Sequence, residues 1–183
     1  MVYLLTDDSY FALGAESLLH LTNVAVTRIA ANDDSPLRLL PQDTLLLATS
    51  DLCRMKRMLD EITHPSIEVF VFLNVRSDFK VLRFPQRVIC SKRAPASVLS
   101  GVGKLGLDEC RAELSGQQHA ILKAFALGAN SVQISKATHL SVKTISSHKL
   151  SGLKKLGVEG ANNMLLMLIM DMFKKDFTHP PRN

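Results

Sequence analysis

The chain has 183 residues, 46% of them apolar, with no Trp, few aromatics and a net charge of +5. That length has room for two small domains with aliphatic cores. Cys53, Cys90 and Cys110 share no motif spacing and are odd in number, which excludes a disulfide scaffold or a zinc site and points to a reducing compartment. MVYLLTDD meets acidic residues too early for a secretory signal, and the longest apolar run, Met164–Met170, is too short to span a bilayer, so a cytoplasmic protein is expected. The charge is uneven: from Leu114 onward nine Lys/Arg face three acids, a balance of +6, while residues 1–113 stand at −1. A basic half beside a neutral half suggests a nucleic-acid-binding module joined to a regulatory or interaction module.

In chain order, the apolar run Val2–Thr6 predicts a buried parallel strand. Asp7-Asp8-Ser9 follows, then a helix with Phe11, Leu13, Leu18 and Leu19, ending near His20. Val24–Ile29 is a second strand, and Asn32–Pro36 a turn. Thr44–Ala48 is a third strand. Leu52, Met55, Leu59 and Ile62 keep helical spacing, with Asp51 as the cap. Ile67–Val75 is a fourth strand and Arg87–Cys90 a shorter fifth. Ala94–Leu105 is a weak helix, with Pro95 in its first turn. Strands alternating with helices predict a small α/β domain with a parallel sheet and flanking helices. Cys53 and Cys90 read as small core residues.

This order resembles the receiver domain of bacterial response regulators. The resemblance implies an acidic pair holding Mg²⁺ after the first strand, an acceptor Asp ending the third, a Ser/Thr after the fourth and a Lys after the fifth. Such clustering suits phosphoryl transfer, where a divalent cation neutralises charge. Asp7 and Asp8 stand at the first position and Lys92 at the last. The third strand ends in Ala48, and Leu73-Asn74 replaces the Ser/Thr. Ile29 to Asp43 is too short for a full strand–helix–strand unit. With no acceptor, Asp7 and Asp8 read as a helix-capping loop in preference to a metal site, and Lys92 as a solvated lysine. The domain, residues 1–106, is expected to be a degenerate receiver without phosphorylation, and residues 107–113, after Gly101, Gly103 and Gly106, a linker.

The second domain, residues 114–173, opens with Ser115 and Gln118 in capping-box spacing. Ile121, Leu122, Phe125 and Ala126 form the apolar stripe of a first helix, ended by Gly128. A short helix, Val132–Thr138, follows with Val132, Ile134 and Ala137 apolar. His139-Leu140 turns the chain, and Ser141 caps a third helix, Val142–Leu156, ended by Gly157. Ile145, Leu153 and Leu156 share its inward face. A short helix, a tight turn and a longer polar-basic helix make a helix-turn-helix, whose second helix enters the DNA major groove. Glu159–Met172 is a fourth helix, apolar almost all round, and residues 174–183 a frayed tail.

The stretch from Leu114 to about Met170, above all SVKTISSHKLSGLKKLGV, resembles LuxR/FixJ-type helix-turn-helix regulators. Its VQIS and KTISSHK pieces are similar to the RcsA-like auxiliary regulators of enterobacteria, several of which carry a degenerate receiver. The resemblance implies an all-α four-helix domain with Ser146, Ser147 and Leu150 facing base edges, two of them departures from the family's usual Lys or charged residues. Hydroxyls read several bases, and Leu150 suits a thymine methyl. Lys143, Thr144, His148 and Lys149 are candidates for phosphate contacts, with Lys154 beside the helix C-terminus. The resemblance further implies dimerisation through the fourth helix, with Met164, Leu165, Leu168, Ile169 and Met172.

The expected function is a sequence-specific, phosphorylation-independent transcriptional regulator of double-stranded DNA, a homodimer or a heterodimer with another LuxR/FixJ-type regulator. No enzymatic residue set, cofactor, metal site, membrane contact or small-molecule ligand is expected. The alternatives are a response regulator phosphorylated on Asp43 or Asp51, and a protein antagonist that titrates another regulator.

Overall fold

The computed structural model describes residues 1–30, 37–75, 82–84, 87–93, 96–100 and 114–176. The chain divides into two compact units, Met1–Asn74 with Phe79–Cys110, and Arg111–Asn183 with Val75–Asp78.

The N-terminal unit contains β1 (Val2–Thr6), α1 (Ser9–Leu21), β2 (Val26–Ile29), β3 (Thr44–Ala48), α2 (Leu52–Glu61), β4 (Glu68–Leu73), β5 (Leu82–Phe84), β6 (Arg87–Ser91) and α3 (Ala96–Ser100). The sheet runs β2-β1-β3-β4-β6-β5. Among the described residues five strands are parallel, and β5 runs antiparallel against β6. This is a receiver-like α/β sheet. The continuous apolar runs of β3 and β4 lie at its centre, where both faces of a strand are covered. On one face Leu4, Leu46, Phe70 and Phe72 pack with Ala12, Ala15 and Leu19 of α1 and Val98 and Leu99 of α3. The alternate residues Leu5, Leu45, Leu47 and Val71 are fully buried too, and α2 buries Met55, Met58 and Leu59. Each buried Phe or Leu contributes about 1.5–3 kcal/mol, so the two central strands dominate the stability of this unit.

The strand expected as the fifth is the sixth, because the three-residue β5 precedes it; so short a segment carries no readable period. The first helix begins at Ser9 and turns Leu13 outward with Tyr10 and Leu21. Cys90 is buried as expected, and burial pushes its thiol pKa up. Cys53 is exposed, not a core residue, because it lies off the Met55/Met58/Leu59 face. The expected turn Asn32–Pro36, the linker 107–113 and Cys110 lie outside the described residues.

The C-terminal unit is all-α: α4 (Gly116–Ala126), α5 (Ser131–Thr138), α6 (Val142–Lys155) and α7 (Asn163–Asp176). Helix α4 packs against both α6 and α7, and α5 against α6. The left-handed Gly128 (φ 88°) ends α4, a conformation costly for any side chain. The fourth helix starts four residues later than Glu159. Gly160 (φ 78°) turns the chain, and Asn162 caps the helix by accepting from the Leu165 amide at 2.8 Å. It runs to Asp176, past the expected end at Met172. Among the described residues no helix is long and apolar enough to cross a membrane.

Candidate nucleic-acid interface

Helix α5 and the turn after it are locked by their own side chains. Asn130 caps α5 by accepting from the Val132 and Gln133 amides, and in return Gln133 Oε1 accepts from the Asn130 amide at 2.9 Å. His139 takes a left-handed conformation (φ 56°) that ends α5. Ser135 Oγ donates to the Leu140 carbonyl at 2.6 Å, tying the turn back to the helix. Ser141 then caps α6, accepting from the Thr144 amide at 3.0 Å, and its hydroxyl lies 2.8 Å from that of Thr144. Removal of such a cap costs about 1 kcal/mol, so the angle between α5 and α6 is set by three short local contacts.

Helix α4 holds α6 in place. Ser115 and Gln118 form the expected capping box, and Gln118 also donates Nε2 to Ser151 Oγ at 3.0 Å. Gly152 lies directly against Leu122; a Cβ there would stand 2.9 Å from Leu122 Cδ1 and 3.3 Å from its Cγ. Glycine therefore allows the two helices their close approach. Ile145, Leu153 and Leu156 are buried, as the spacing implied.

The opposite side of α6 is left to solvent. Lys143, Ser146, Ser147, Leu150 and Lys154 recur at i, i+3, i+4, i+7 and i+11, which places them on one face, and all are exposed. Helix α6 contains no acidic residue. Thr144, His148 and Lys149 are half-buried and flank this face. Lys149 leans toward α4, with Nζ 4.1 Å from the centroid of the Phe125 ring. The hydroxyl of Ser146 donates to the Val142 carbonyl at 3.0 Å and so turns back onto its own helix. Ser147 makes no hydrogen bond among the described residues. In α5 only Ile134 is buried; the apolar Val132 and Ala137 are exposed.

Of the five residues expected on a dimer face, Leu165, Leu168, Ile169 and Met172 are buried, and Met164 alone is exposed, at 40%. The four belong to the core, which corrects their expected position on the surface. Asn163, Met164, Met167 and Asp171 form the accessible edge of α7.

The acidic residues of the N-terminal unit are bound to their neighbours. Asp7 Oδ2 accepts from the Ser50 amide at 2.8 Å, from Thr49 Oγ1 at 3.2 Å and from the Ser50 hydroxyl. Desolvation alone would raise the Asp7 carboxyl, but the Ser50 and Thr49 bonds outweigh it and hold its pKa below the usual carboxylate range. Asp8 caps α1 through the Phe11 amide at 3.0 Å, and this bond, with the charge of Lys92, also lowers its pKa. Lys92 Nζ lies 3.4 Å from Asp8 Oδ2 and 5.6 Å from the Phe11 ring centroid. Its side chain is only 15% exposed, so it is not the solvated lysine expected. Asp51 caps α2 through the Arg54 amide, and the buried Asp43 accepts from the Leu40 amide and the Met1 ammonium. Among the described residues no group of three or more His, Cys, Asp or Glu is placed to hold a metal. The residues present do not fit the Mg²⁺ of phosphoryl transfer, since Ala48 stands for the third carboxylate and the other two are engaged.

Fold and surface together define a helix-turn-helix with a basic outer face. Residues 112–168 match the GerE family, described as bacterial regulatory proteins, luxR family. The C-terminal unit thus contains a LuxR-type helix-turn-helix domain. Among solved structures, the chain is similar to the response regulator RcsB in a DNA complex, with 21% identity over 93% of this chain and 98% of that one and a TM-score of 0.44. It is similar to RcsB from Salmonella enterica serovar Typhimurium, bound to a promoter in the presence of a phosphomimetic, with 20% identity over 94% and 98% and a TM-score of 0.44. The response regulator ChrA of a heme-sensing two-component system matches with 15% identity over 94% and 96% and a TM-score of 0.34. No curated protein matches the chain in sequence.

Proposed function

We propose that the protein is a sequence-specific transcriptional regulator that grips DNA through α6 and works without phosphorylation. The observation that carries the DNA reading is the solvent face of α6, with Lys143, Ser147, Leu150 and Lys154 in one exposed row and no acid on the helix. Lys143 and Lys154 neutralise phosphates, while Ser147 and Leu150 face base edges. Thr144, His148 and Lys149 flank the groove, Thr144 already shared with the Ser141 cap and Lys149 with Phe125.

Phosphorylation independence is supported by the engagement of every candidate carboxylate. Asp51 and Asp8 are caps, Asp7 is held by Ser50 and Thr49, and Asp43 is buried. The regulator acts as a homodimer or as a heterodimer with another LuxR/FixJ-type regulator. Contact through α7 then uses its accessible edge, Met164 and Met167 above all, and not the buried Leu165, Leu168, Ile169 and Met172. The protein works in the cytoplasm.

A salt titration of DNA binding tests the reading. The log–log slope is expected to steepen by about 0.9 for each phosphate neutralised, and salt-independent binding would sink it. Incubation with acetyl phosphate followed by intact-mass measurement tests the second half, with no added phosphoryl group expected.

A further inference from the structure

Val142, Ser146 and Leu150 recur every four residues along α6 and so form one row on the helix. The Ser146 hydroxyl is bound to the Val142 carbonyl at 3.0 Å, so it offers the row's outer surface no donor. What the row displays is aliphatic: Val142 is 45% exposed and Leu150 68%. A single exposed apolar side chain needs no explanation. Two in register, bridged by a serine turned inward and flanked by exposed Lys143 and Lys154, form an apolar strip within a cationic face. That charge selects a polyanion over a second copy of the chain, which carries a net positive charge itself.

We infer that this strip reads the C5-methyl groups of thymines, making Val142 a specificity-determining residue together with Leu150. The inference rests on the proposed DNA-binding function and names how the bases are read. In the major groove the only methyl group is that of thymine. An aliphatic side chain gains by covering it, about fourfold in affinity per methyl group buried. Against guanine the same side chain would strip water from the N7 and O6 acceptors and return no donor, so G·C pairs are rejected at those steps. Selection therefore comes from apolar contact and from exclusion, with Ser147 as the free hydroxyl beside the strip.

The test begins with sites selected from a random DNA pool by the full-length chain. Each thymine is then replaced singly by deoxyuridine, which removes the methyl group and nothing else. At one or two thymines the replacement is expected to weaken binding about fourfold. V142A and L150A should each weaken binding by a similar factor and erase the sensitivity at one of those positions, with unchanged helical circular dichroism. Indifference to deoxyuridine at every thymine, or sensitivity that persists in the V142A/L150A double variant, overturns the inference while lysine-dependent DNA binding stands. Absence of binding to any DNA at low salt removes the DNA-binding reading and this inference with it.

Discussion

The loops at the end of the parallel sheet and the outer face of α6 hold similar chemistry and differ in where it is directed. Around the sheet, Asp7, Asp8, Asp51 and Lys92 all bond to atoms of their own unit, closing the β1–α1 and β3–α2 loops on one another. On α6, Lys143, Ser147 and Lys154 are exposed and make no hydrogen bond or ion pair among the described residues. A polar group satisfied inside the fold stabilises it, while one left to water is available to a ligand at little cost. Residue type alone does not distinguish a site from a scaffold here; partners do.

The strongest way to break the contrast is to loosen the platform under α6. Leu122 is fully buried and meets Gly152 directly. L122A is expected to destabilise the C-terminal helices by about 2–5 kcal/mol, read by denaturant unfolding. G152A should be milder: the gain in helix propensity, about 1 kcal/mol, offsets part of an overpacking cost of about 1–3 kcal/mol. An L122A protein as stable as its parent would mean that α4 does not support α6.

The lysines sharpen the comparison next. K143A and K154A should each reduce the salt slope of DNA binding by about 0.9 and leave unfolding unchanged. Lys149 should behave differently, because its ammonium lies over Phe125. K149A is expected to lose about 0.5–1 kcal/mol of stability with a smaller change of slope than K143A. Equal slopes for all three variants would place Lys149 on the phosphates as well.

These distinctions mark what the sequence made legible. The helix-turn-helix could be read because its signals are local: Ser115 with Gln118, Gly128, Ser141 and the Ile145/Leu153/Leu156 spacing each act within one or two turns of helix. The parallel strands were legible from uninterrupted apolar runs. Partnerships across the chain were not. Nothing near Gln118 announces Ser151, thirty-three residues away, and nothing near Lys92 announces Asp8, eighty-four away. Nothing around Gly152 in the sequence announces the Leu122 side chain packed against it. The Asn130/Gln133 box was legible in principle, since it has the same spacing as Ser115 and Gln118. The apolar surplus of α7 was visible, but which of its residues are buried depends on α4 and its other neighbours, which periodicity does not reveal.

The smallest expected effect concerns the loops that are already satisfied. D7N keeps an acceptor oxygen for the Ser50 and Thr49 donors but removes the charge that strengthens those bonds. Asp7 is exposed, so solvent screening limits the loss to about 1 kcal/mol. The pH dependence gives the sharper readout. Asp7 and Asp8 both have pKa values lowered by folding, so their contribution is fully present above the unfolded carboxyl value of about 3.9 and is lost as pH falls through the lower folded values. The parent protein should therefore hold constant stability from neutrality to about pH 5 and decline below about pH 4, and D7N should decline less steeply. Mg²⁺ should change neither curve, because the two carboxylates already have hydrogen-bond donors and a lysine as partners. A rise in parent Tm with Mg²⁺ that D7N abolishes would mean that the acidic pair still binds a cation, and the contrast between a closed loop cluster and an open helix face would then fail at its first term.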